Sequence, residues 1–163
     1  MTKTILPLTI TVLLFFNAYS SSKTTDEKKQ ESLSQTMKST ESDVPFLEAK
    51  NYFVNNTYED GGLSNPKITT QADFDMIFGM ATTMGENGKP TPIDFSKQYV
   101  IALIEQKNDR DANIEIKSLK KIGNTITLAY HLAEAQKQTY IIRPFVLLIV
   151  DKQYQGSVQI QKL

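Results

Sequence analysis

The chain has 163 residues, which is a one-domain length, and its 18 basic and 18 acidic residues give a net charge of zero. A balanced chain lacks the basic face that binds nucleic acid or an anionic membrane surface, so we expect neither as a partner. It has no cysteine, which excludes a disulfide, a thiolate nucleophile and a Cys-type zinc site.

Residues 1–20 have the pattern of a cleavable export signal. Lys3 gives a positive start, and the mostly apolar run 5–16 is about 18 Å long as a helix, too short for the roughly 30 Å core of a bilayer. Ala18 and Ser20 place small side chains at the two positions that a signal peptidase reads, which predicts cleavage after Ser20. We therefore expect an exported protein, periplasmic, envelope-associated or secreted, with no transmembrane span after cleavage. A buried N-terminal helix is the alternative.

The segment 16–21 resembles a bacterial lipoprotein signal, in which a cysteine that receives the lipid follows a small residue. Tyr19 stands at the position of that cysteine. Because no thiol is present to be modified, the sequence predicts that the protein has no lipid anchor.

A polar tether is predicted between the signal and the folded domain. Residues 21–43 are rich in Ser, Thr, Lys, Glu and Gln, a composition that buries too little apolar surface to offset the entropy of ordering. A short polar helix over 26–37 is the alternative. We assign residues 44–163 to one domain.

The domain opens with signals for a short strand and then a helix. Aromatic and β-branched residues at 51–55 favour a strand. Thr70 and Asp73 have the spacing of a capping box, which predicts the start of a helix, and Gly79 is a place where it can end early. Two glycines and a proline in 82–91 predict a long, mobile loop. The helix is predicted to present one apolar face, made of Phe74, Ile77, Phe78 and Ala81.

The rest of the domain is predicted to be β-structure. Residues 99–104 are apolar on both faces, which is typical of a central strand, and 112–117 alternate between apolar and polar side chains. Gly123–Asn124 has the pattern of a two-residue type II′ hairpin turn. Pro144 lies inside the apolar run 139–150 and cannot donate to a ladder, so we expect a bulge or break there.

The connections predicted between these strands define the fold class. Residues 108–111 favour a polar turn, 133–138 a loop, and 151–156 a second hairpin that leads to a closing edge strand at 157–163. Strands joined by hairpins, together with one amphipathic helix, predict an α+β fold. We expect an antiparallel β-sheet of about five to six strands with one main amphipathic helix packed on it.

A search for catalytic motifs finds none. The single histidine, His131, is predicted to face solvent, and sequence spacing offers it no partner as a base or ligand. Gly62–Pro66 begins like a nucleophile elbow but ends in proline. Asp73 and Asp75 point apart on a helix. We therefore expect no enzyme activity, no cofactor and no metal site, with a two-carboxylate enzyme as the alternative.

Four charged residues are candidates for a partner surface. Arg143 is the one cation in the apolar run 139–150, where it either pairs inside the fold or faces an interface. Asp109, Arg110 and Asp111 lie together in the predicted polar turn. They are typical solvated turn residues, and weak calcium binding by the two aspartates is the alternative.

The segment Pro92-Ile93-Asp94-Phe95, followed by a strand from Tyr99, resembles the opening of the PrcB-like family, named for a subunit of a bacterial surface protease complex. The order of later elements is also similar, with Thr139-Tyr140 leading into an apolar strand. The resemblance covers Pro92–Lys152. It implies an exported protein that binds another protein, such as a protease, and has no catalysis of its own.

Two functions therefore stand as hypotheses. The first is an exported, non-catalytic protein-interaction module that stabilises or regulates an exported partner such as an envelope or secreted protease. The second is a binder of small ligands or glycans that uses the loops 58–66 and 82–92, because binding residues concentrate on loops held by a rigid sheet.

Overall fold

The strands are short near the start of the described chain and longer toward its end. A computed structural model describes residues 40–59, 63–85 and 87–163, without the side chain of Glu134. In chain order the elements are β1 (Glu41–Asp43), β2 (Leu47–Glu48), β3 (Tyr52–Val54), β4 (Lys67–Ile68), α1 (Gln71–Ile77), β5 (Phe78–Met80), β6 (Gln98–Ile104), β7 (Asn108–Ile122), β8 (Thr125–Ile142), β9 (Phe145–Asp151) and β10 (Ser157–Lys162).

The predicted α+β fold is wrong, because the described chain is mostly β. Strands take up 55% of the described residues and helix 6%, so the helix is too small to cover a sheet. Two four-stranded sheets replace the predicted single sheet, with the orders β1-β7-β8-β10 and β2-β9-β6-β4. Strands β3 and β5 pair separately. We call these sheet A, sheet B and the β3–β5 ribbon.

One long hairpin folds over to supply the middle of both four-stranded sheets. Its first half is the antiparallel pair β6 and β9 in sheet B, and its second half is the antiparallel pair β7 and β8 in sheet A. The chain changes sheet at 105–107 and 143–144. There the N–H of Glu105 donates to the carbonyl oxygen of Pro144 at 2.9 Å. The predicted break at Pro144 is confirmed, since its ring nitrogen has no proton for the ladder.

The far end of this hairpin turns at Gly123–Asn124, as predicted. Gly123 has a φ of 58°, and a type II′ turn needs a positive φ at its first central position. The predicted polar turn at 108–111 is wrong, because β7 already begins at Asn108. The predicted loop at 133–138 is wrong too, because β8 runs through it. Register shifts mark β-bulges in this stretch. Because a bulge breaks the regular alternation of a strand, these polar residues have the sequence pattern of a turn although they belong to a strand.

Strand β10 pairs differently from the prediction. It crosses to sheet A and runs parallel to β8, with Ser157 opposite Thr125, so the predicted hairpin over 151–156 is wrong. The prediction of an edge strand within 157–163 is confirmed. The other edge of sheet A is β1, whose residues the composition assigned to the tether 21–43.

The predicted export signal falls on residues that the structure does not describe. Ala18, Tyr19 and Ser20 therefore lie outside the described residues, and the predictions made from them stay predictions. Within the described ranges, no helix has the length and apolar character needed to span a bilayer.

Sheet B is buried on both faces. Alternate residues of β6 and β9 point to opposite sides. One set packs against Leu119, Ile126 and Leu128 of sheet A, and the other packs under α1 and the β3–β5 ribbon. This confirms the predicted central strand at 99–104. The first set is Tyr99, Ile101, Leu103, Val146, Leu148 and Val150, and the second is Val100, Ala102, Leu147 and Ile149.

The start of α1 is the capped start that the sequence predicts. The Thr70 hydroxyl oxygen accepts the N–H of Asp73 at 3.1 Å and donates to the Asp73 carboxylate at 2.6 Å. This satisfies one of the backbone donors that a helix start leaves open.

Helix α1 ends before the last residues of the apolar face that the sequence predicts. The helix stops at Ile77, and Phe78 enters β5 directly, so the prediction of a helical face reaching Ala81 is wrong. The ring of Phe53 on β3 lies across Gly79, where an added Cβ would come within 2.3 Å of it. The glycine thus makes room for an aromatic ring on the outer side of the ribbon.

Burial of one tyrosine predicts a loss of stability in alkali. The Tyr99 hydroxyl donates to the Tyr154 carbonyl oxygen at 2.8 Å, and burial raises the pKa of Tyr99 to about 12. An unfolded tyrosine ionises near pH 10, so only the unfolded chain releases this proton between about pH 10 and 12. The contribution of Tyr99 to stability is fully present below about pH 10 and should fall by roughly 2–3 kcal/mol as the pH rises to about 12. Urea unfolding at both ends of this range measures the loss, which should be smaller in Tyr99→Phe. An equal loss in both proteins would contradict this origin.

Candidate functional site

An apolar concavity with polar groups at its rim lies where the β3–β5 ribbon meets the segment 82–93. It has a volume of about 480 Å³. We call it the β3–β5 cleft. Its walls are a tyrosine ring, a methionine, an isoleucine and two prolines, and its polar groups are an amide, a hydroxyl and an ammonium group. The lining residues are Tyr52, Gln71, Met80, Thr82, Lys89, Pro90, Pro92 and Ile93.

Asn51 holds one wall of this cleft in place. It has a φ of 62°, in the left-handed region that asparagine tolerates better than most residues. Its side-chain amide donates to the carbonyl oxygens of Asn87 at 2.6 Å and Lys89 at 2.8 Å. The Asn51 carbonyl oxygen accepts the N–H of Ala81 at 2.9 Å, so this residue ties β3 both to the end of β5 and to the following loop.

The residues on either side of Asn51 add further ties to the loop. Lys50 N–H donates to the Thr91 hydroxyl oxygen at 2.9 Å, and Thr91 N–H donates back to the Lys50 carbonyl at 3.1 Å. The Tyr52 hydroxyl donates to the Thr91 carbonyl oxygen at 2.7 Å. The loop that the sequence predicts to be mobile is therefore hydrogen-bonded to the start of β3 at several points.

Gly88 lets this loop close on itself. Thr83 N–H donates to the Gly88 carbonyl at 3.0 Å, and Gly88 N–H donates to the Gly85 carbonyl at 3.1 Å. A Cβ on Gly88 would lie 1.9 Å from the Thr83 carbonyl oxygen, so a larger residue would force the loop open.

The surface around the cleft carries exposed apolar side chains. Met80, at the cleft wall, is 64% exposed, and Met76 on α1 is 68% exposed. Met84 in the following loop is fully exposed, whereas the half-exposed Phe53 ring over Gly79 lies on the other face of the ribbon. Exposed apolar side chains that adjoin an apolar cleft give a surface that a partner can bury.

The electrostatic surroundings of the cleft are mild. Burial, with a smaller effect of the Asp75 charge, raises the pKa of Tyr52, so its hydroxyl stays neutral and keeps donating to Thr91. Gln71 is held toward Asp75, whose carboxylate accepts its side-chain N–H at 2.7 Å. Among the described residues that line the cleft, Lys89 is the one with a charged side chain.

The predicted partner residue Arg143 lies at the bend of the long hairpin, by a second cleft of about 380 Å³. Its Nη1 donates to the Tyr58 carbonyl oxygen at 3.0 Å, and its guanidinium lies 5.5 Å from the centre of the Tyr58 ring. Arg143 therefore pairs inside the fold, and it also contributes to a surface concavity. The second cleft is lined by Val54, Asn56, Lys107, Ile141, Ile142 and Arg143.

The predicted residues Asp109, Arg110 and Asp111 lie at the start of β7, next to the bend. The Asp109 carboxylate pairs with Lys137 on β8 at 3.0 Å, and this contact holds the pKa of Asp109 below its ordinary value. Arg110 and Asp111 are exposed. The structure therefore puts these three residues and Arg143 at the same end of the β7–β8 pair, away from the β3–β5 cleft lining.

The remaining titratable candidates do not converge on one point. His131 on β8 is exposed and lies opposite Glu115, whose carboxylate pairs with Lys117 at 2.6 Å. That hydrogen bond from Lys117 is the main reason why the pKa of Glu115 is lowered. Asp73 lies in the first turn of α1 and is not itself the cap: its N–H donates to the Thr70 hydroxyl, and its carboxylate accepts a hydrogen bond from that hydroxyl. No group of three or more His, Cys, Asp or Glu side chains suited to a metal occurs in the residues that the structure describes.

A half-buried charge cluster joins the hairpin bend to the end of β10. The Tyr130 hydroxyl donates to the Glu105 carboxylate, which also pairs with Lys162 at 3.2 Å. Burial, together with this hydrogen bond, raises the pKa of Tyr130. The cluster ties the end of β10 to the bend of the long hairpin.

Sequence reasoning misses the two residues that define the cleft. The sequence indicates Asn51 only as a strand boundary, although asparagine before a strand is a candidate for the left-handed conformation. Met80 falls within the predicted helix, so its exposure at the end of a strand does not follow from the pattern. The segment 82–92 is predicted only as a loop available for ligands.

Comparisons with known proteins identify no relative. The chain matches no protein-family model, no curated protein and no solved structure. The resemblance to the PrcB-like family therefore stays a prediction.

Proposed function

We propose that this chain is an exported, non-catalytic protein-interaction module that binds another exported protein at the β3–β5 cleft. The main observation behind this proposal is the exposure of Met80, whose apolar side chain is 64% exposed in the wall of an apolar cleft. The partner class to test first is a protease that the module stabilises or regulates, as the PrcB-like resemblance implies.

The chemistry of the surface supports a protein partner. Methionine is flexible and polarisable, so it adapts to the shape of an incoming apolar side chain, and methionines are common on protein-binding surfaces. Met76 and Met80 lie on α1 and β5, which meet directly at residues 77–78. The Asn51 hydrogen bonds fix the opposite wall before binding, which lowers the entropy cost of association.

A small-ligand or glycan binder is the second candidate, and the size of the cleft favours it. Ligand sites commonly have volumes of about 300–1,000 Å³ and combine apolar walls with a few polar groups. The β3–β5 cleft falls in this range and places Gln71, Thr82 and Lys89 beside the Tyr52 ring. A sugar ring stacked on Tyr52 would find hydrogen-bonding groups at the rim.

A photo-crosslinking amino acid placed at Met80 tests the first candidate. The full chain is expressed in its native cell with the crosslinker at Met80 or, as the matched control, at exposed Lys117 on sheet A. We expect a discrete adduct from position 80 and none from position 117 after irradiation of the envelope fraction. The captured protein, once purified, should bind the wild-type chain and lose about tenfold or more in affinity for Met80→Lys, since a buried charge replaces an apolar contact.

Other outcomes of this experiment separate the candidates. Equal adducts from both positions, or a captured protein that binds Met80→Lys as well as wild type, would contradict a protein partner at the cleft. A glycan that raises the melting temperature of the wild-type chain but not that of Met80→Lys would support the second candidate instead.

A further inference from the structure

Strand β10 is an unprotected edge of sheet A. It pairs with β8 on one side through six consecutive residues without a register shift, and it has no neighbour on its other side among the described strands. It contains no proline, and Lys162 at its end is its only charged residue. Natural edge strands are usually short, bulged, charged or covered, because open N–H and C=O groups invite pairing with another chain.

The other edge strands in the described part of the chain are much shorter. β1 has three residues, and the edges of sheet B, β2 and β4, have two each. Each of these is too short to template a new strand of ordinary length. The uncovered sides of β7 before residue 119 and of β8 after residue 130 are longer, but register shifts interrupt both. β10 is therefore the edge strand of ordinary length whose pairing is regular throughout.

We infer that two copies of this chain associate through antiparallel pairing of their β10 strands. In this arrangement a two-fold axis passes through the interface at Ile160, and the two A sheets join into one continuous eight-stranded sheet. The contact is isologous, so each copy uses the same six residues. The inference does not depend on the function proposed for the β3–β5 cleft.

The sequence of β10 is self-complementary in this register. Ile160 lies opposite Ile160 of the other copy, and Gln159 lies opposite Gln161 of the other copy, where their amides can exchange hydrogen bonds. Ile160 is 36% exposed although Val158, on the same face, packs on the core between the sheets. A second Ile160 would cover that exposed surface.

The charges of the chain do not oppose a second copy as the occupant. Lys162 lies opposite Val158 of the other copy, so no two like charges face each other. The two Lys162 residues are about 14 Å apart along the strands, beyond the screening length of about 8 Å in physiological salt. Each also keeps its own Glu105 at 3.2 Å. Because the whole chain has a net charge of zero, no long-range repulsion opposes the approach of the two copies.

The absence of cysteine permits a sharp test of this register. In the full chain, Ile160→Cys should form a disulfide-linked dimer under mild oxidation, because directly opposite Cα atoms lie about 4.5–5.5 Å apart, within disulfide reach. Gln161→Cys alone is the matched control and should stay unlinked, because the two Cα atoms at position 161 would be about 8 Å apart. A mixture of Gln159→Cys and Gln161→Cys chains should give the mixed dimer.

The mass of the cysteine-free chain provides the second readout. Light scattering should give twice the chain mass for the wild type, and Ile160→Lys should weaken the dimer by about tenfold or more, because it places like charges directly opposite each other. Monomers at all concentrations would overturn the inference. So would a dimer in which Gln161→Cys links as readily as Ile160→Cys. A dimer that Ile160→Lys leaves intact would assign the contact to another surface and also overturn it.

Discussion

Replacement of Phe74 by alanine should lower the free energy of unfolding by about 3–5 kcal/mol. Phe74 is the one residue of α1 that is fully buried, at 2% exposure. Its ring lies 5.2 Å from the Tyr52 ring, 5.0 Å from the Phe78 ring and 5.8 Å from the Phe95 ring. Removing it leaves a cavity between the helix, the ribbon and sheet B, and urea unfolding measures the cost.

Two further variants make this prediction specific to the buried ring. Phe74→Leu fills most of the cavity and should cost clearly less than Phe74→Ala. Met76→Ala removes a side chain of similar size from the solvent-facing side of the same helix, and it should change stability by less than about 0.5 kcal/mol. If Met76→Ala cost as much as Phe74→Ala, the loss would reflect the helix itself and not the core beneath it.

Replacement of Asn51 by alanine should cost about 2–4 kcal/mol and should loosen the loop at the β3–β5 cleft. Alanine at a φ of 62° is strained by about 1 kcal/mol, and the change removes two side-chain hydrogen bonds worth roughly 0.5–1.5 kcal/mol each. Urea unfolding measures the total. Hydrogen exchange of the Thr91 amide, which donates to Lys50, reports on the loop alone and should become faster.

The contribution of backbone strain can be separated from that of the hydrogen bonds. Asn51→Gly loses the side-chain amide as Asn51→Ala does, but glycine adopts this φ without strain. It should therefore cost less than Asn51→Ala. Asn51→Asp places a carboxylate against the carbonyl oxygens of Asn87 and Lys89, so it should cost more than Asn51→Gly. The Ala102 amide in sheet B serves as the internal reference, because its exchange should change only with global stability. Equal acceleration at Ala102 and Thr91 would show that Asn51 has no local role.

The sequence predicts those parts of the fold in which local pattern and tertiary environment agree. The central strand at 99–104 has apolar residues on both faces because sheet B is covered on both sides. The cap at Thr70, the turn at Gly123 and the break at Pro144 depend on the chemistry of single residues, and all three occur.

Where local pattern and tertiary pairing compete, the sequence prediction fails. Phe78 has helical spacing from Phe74, yet β5 pairs with β3 and draws the chain out of the helix after Ile77. Residues 108–111 are polar enough for a turn, but they belong to a bulged strand held by the long hairpin. β10 pairs with β8 in sheet A and not with the preceding strand β9 in sheet B, and no periodicity within 157–163 carries that information.

The candidate site is less predictable than the fold, because it depends on contacts between segments that are far apart in sequence. The sequence indicates the loop 82–92 as a place for ligands, but its ties to Lys50, Asn51 and Tyr52 join segments distant along the chain and leave no local motif. Arg143 illustrates the same limit. Its two alternative roles follow from the sequence, and only the structure shows its contact with Tyr58.

The strand pairings have a consequence for how this protein is made. Glu41 pairs with Ile122, Leu47 pairs with Ile149, and Lys67 pairs with Ile101. The early strands therefore cannot pair until the ribosome has synthesised these later residues. At about 5–20 residues per second, several seconds separate the synthesis of Leu47 from that of its partner. The nascent chain therefore emerges without the sheets to which its first strands belong, and it can acquire both only after the hairpin that ends at Asp151 is complete.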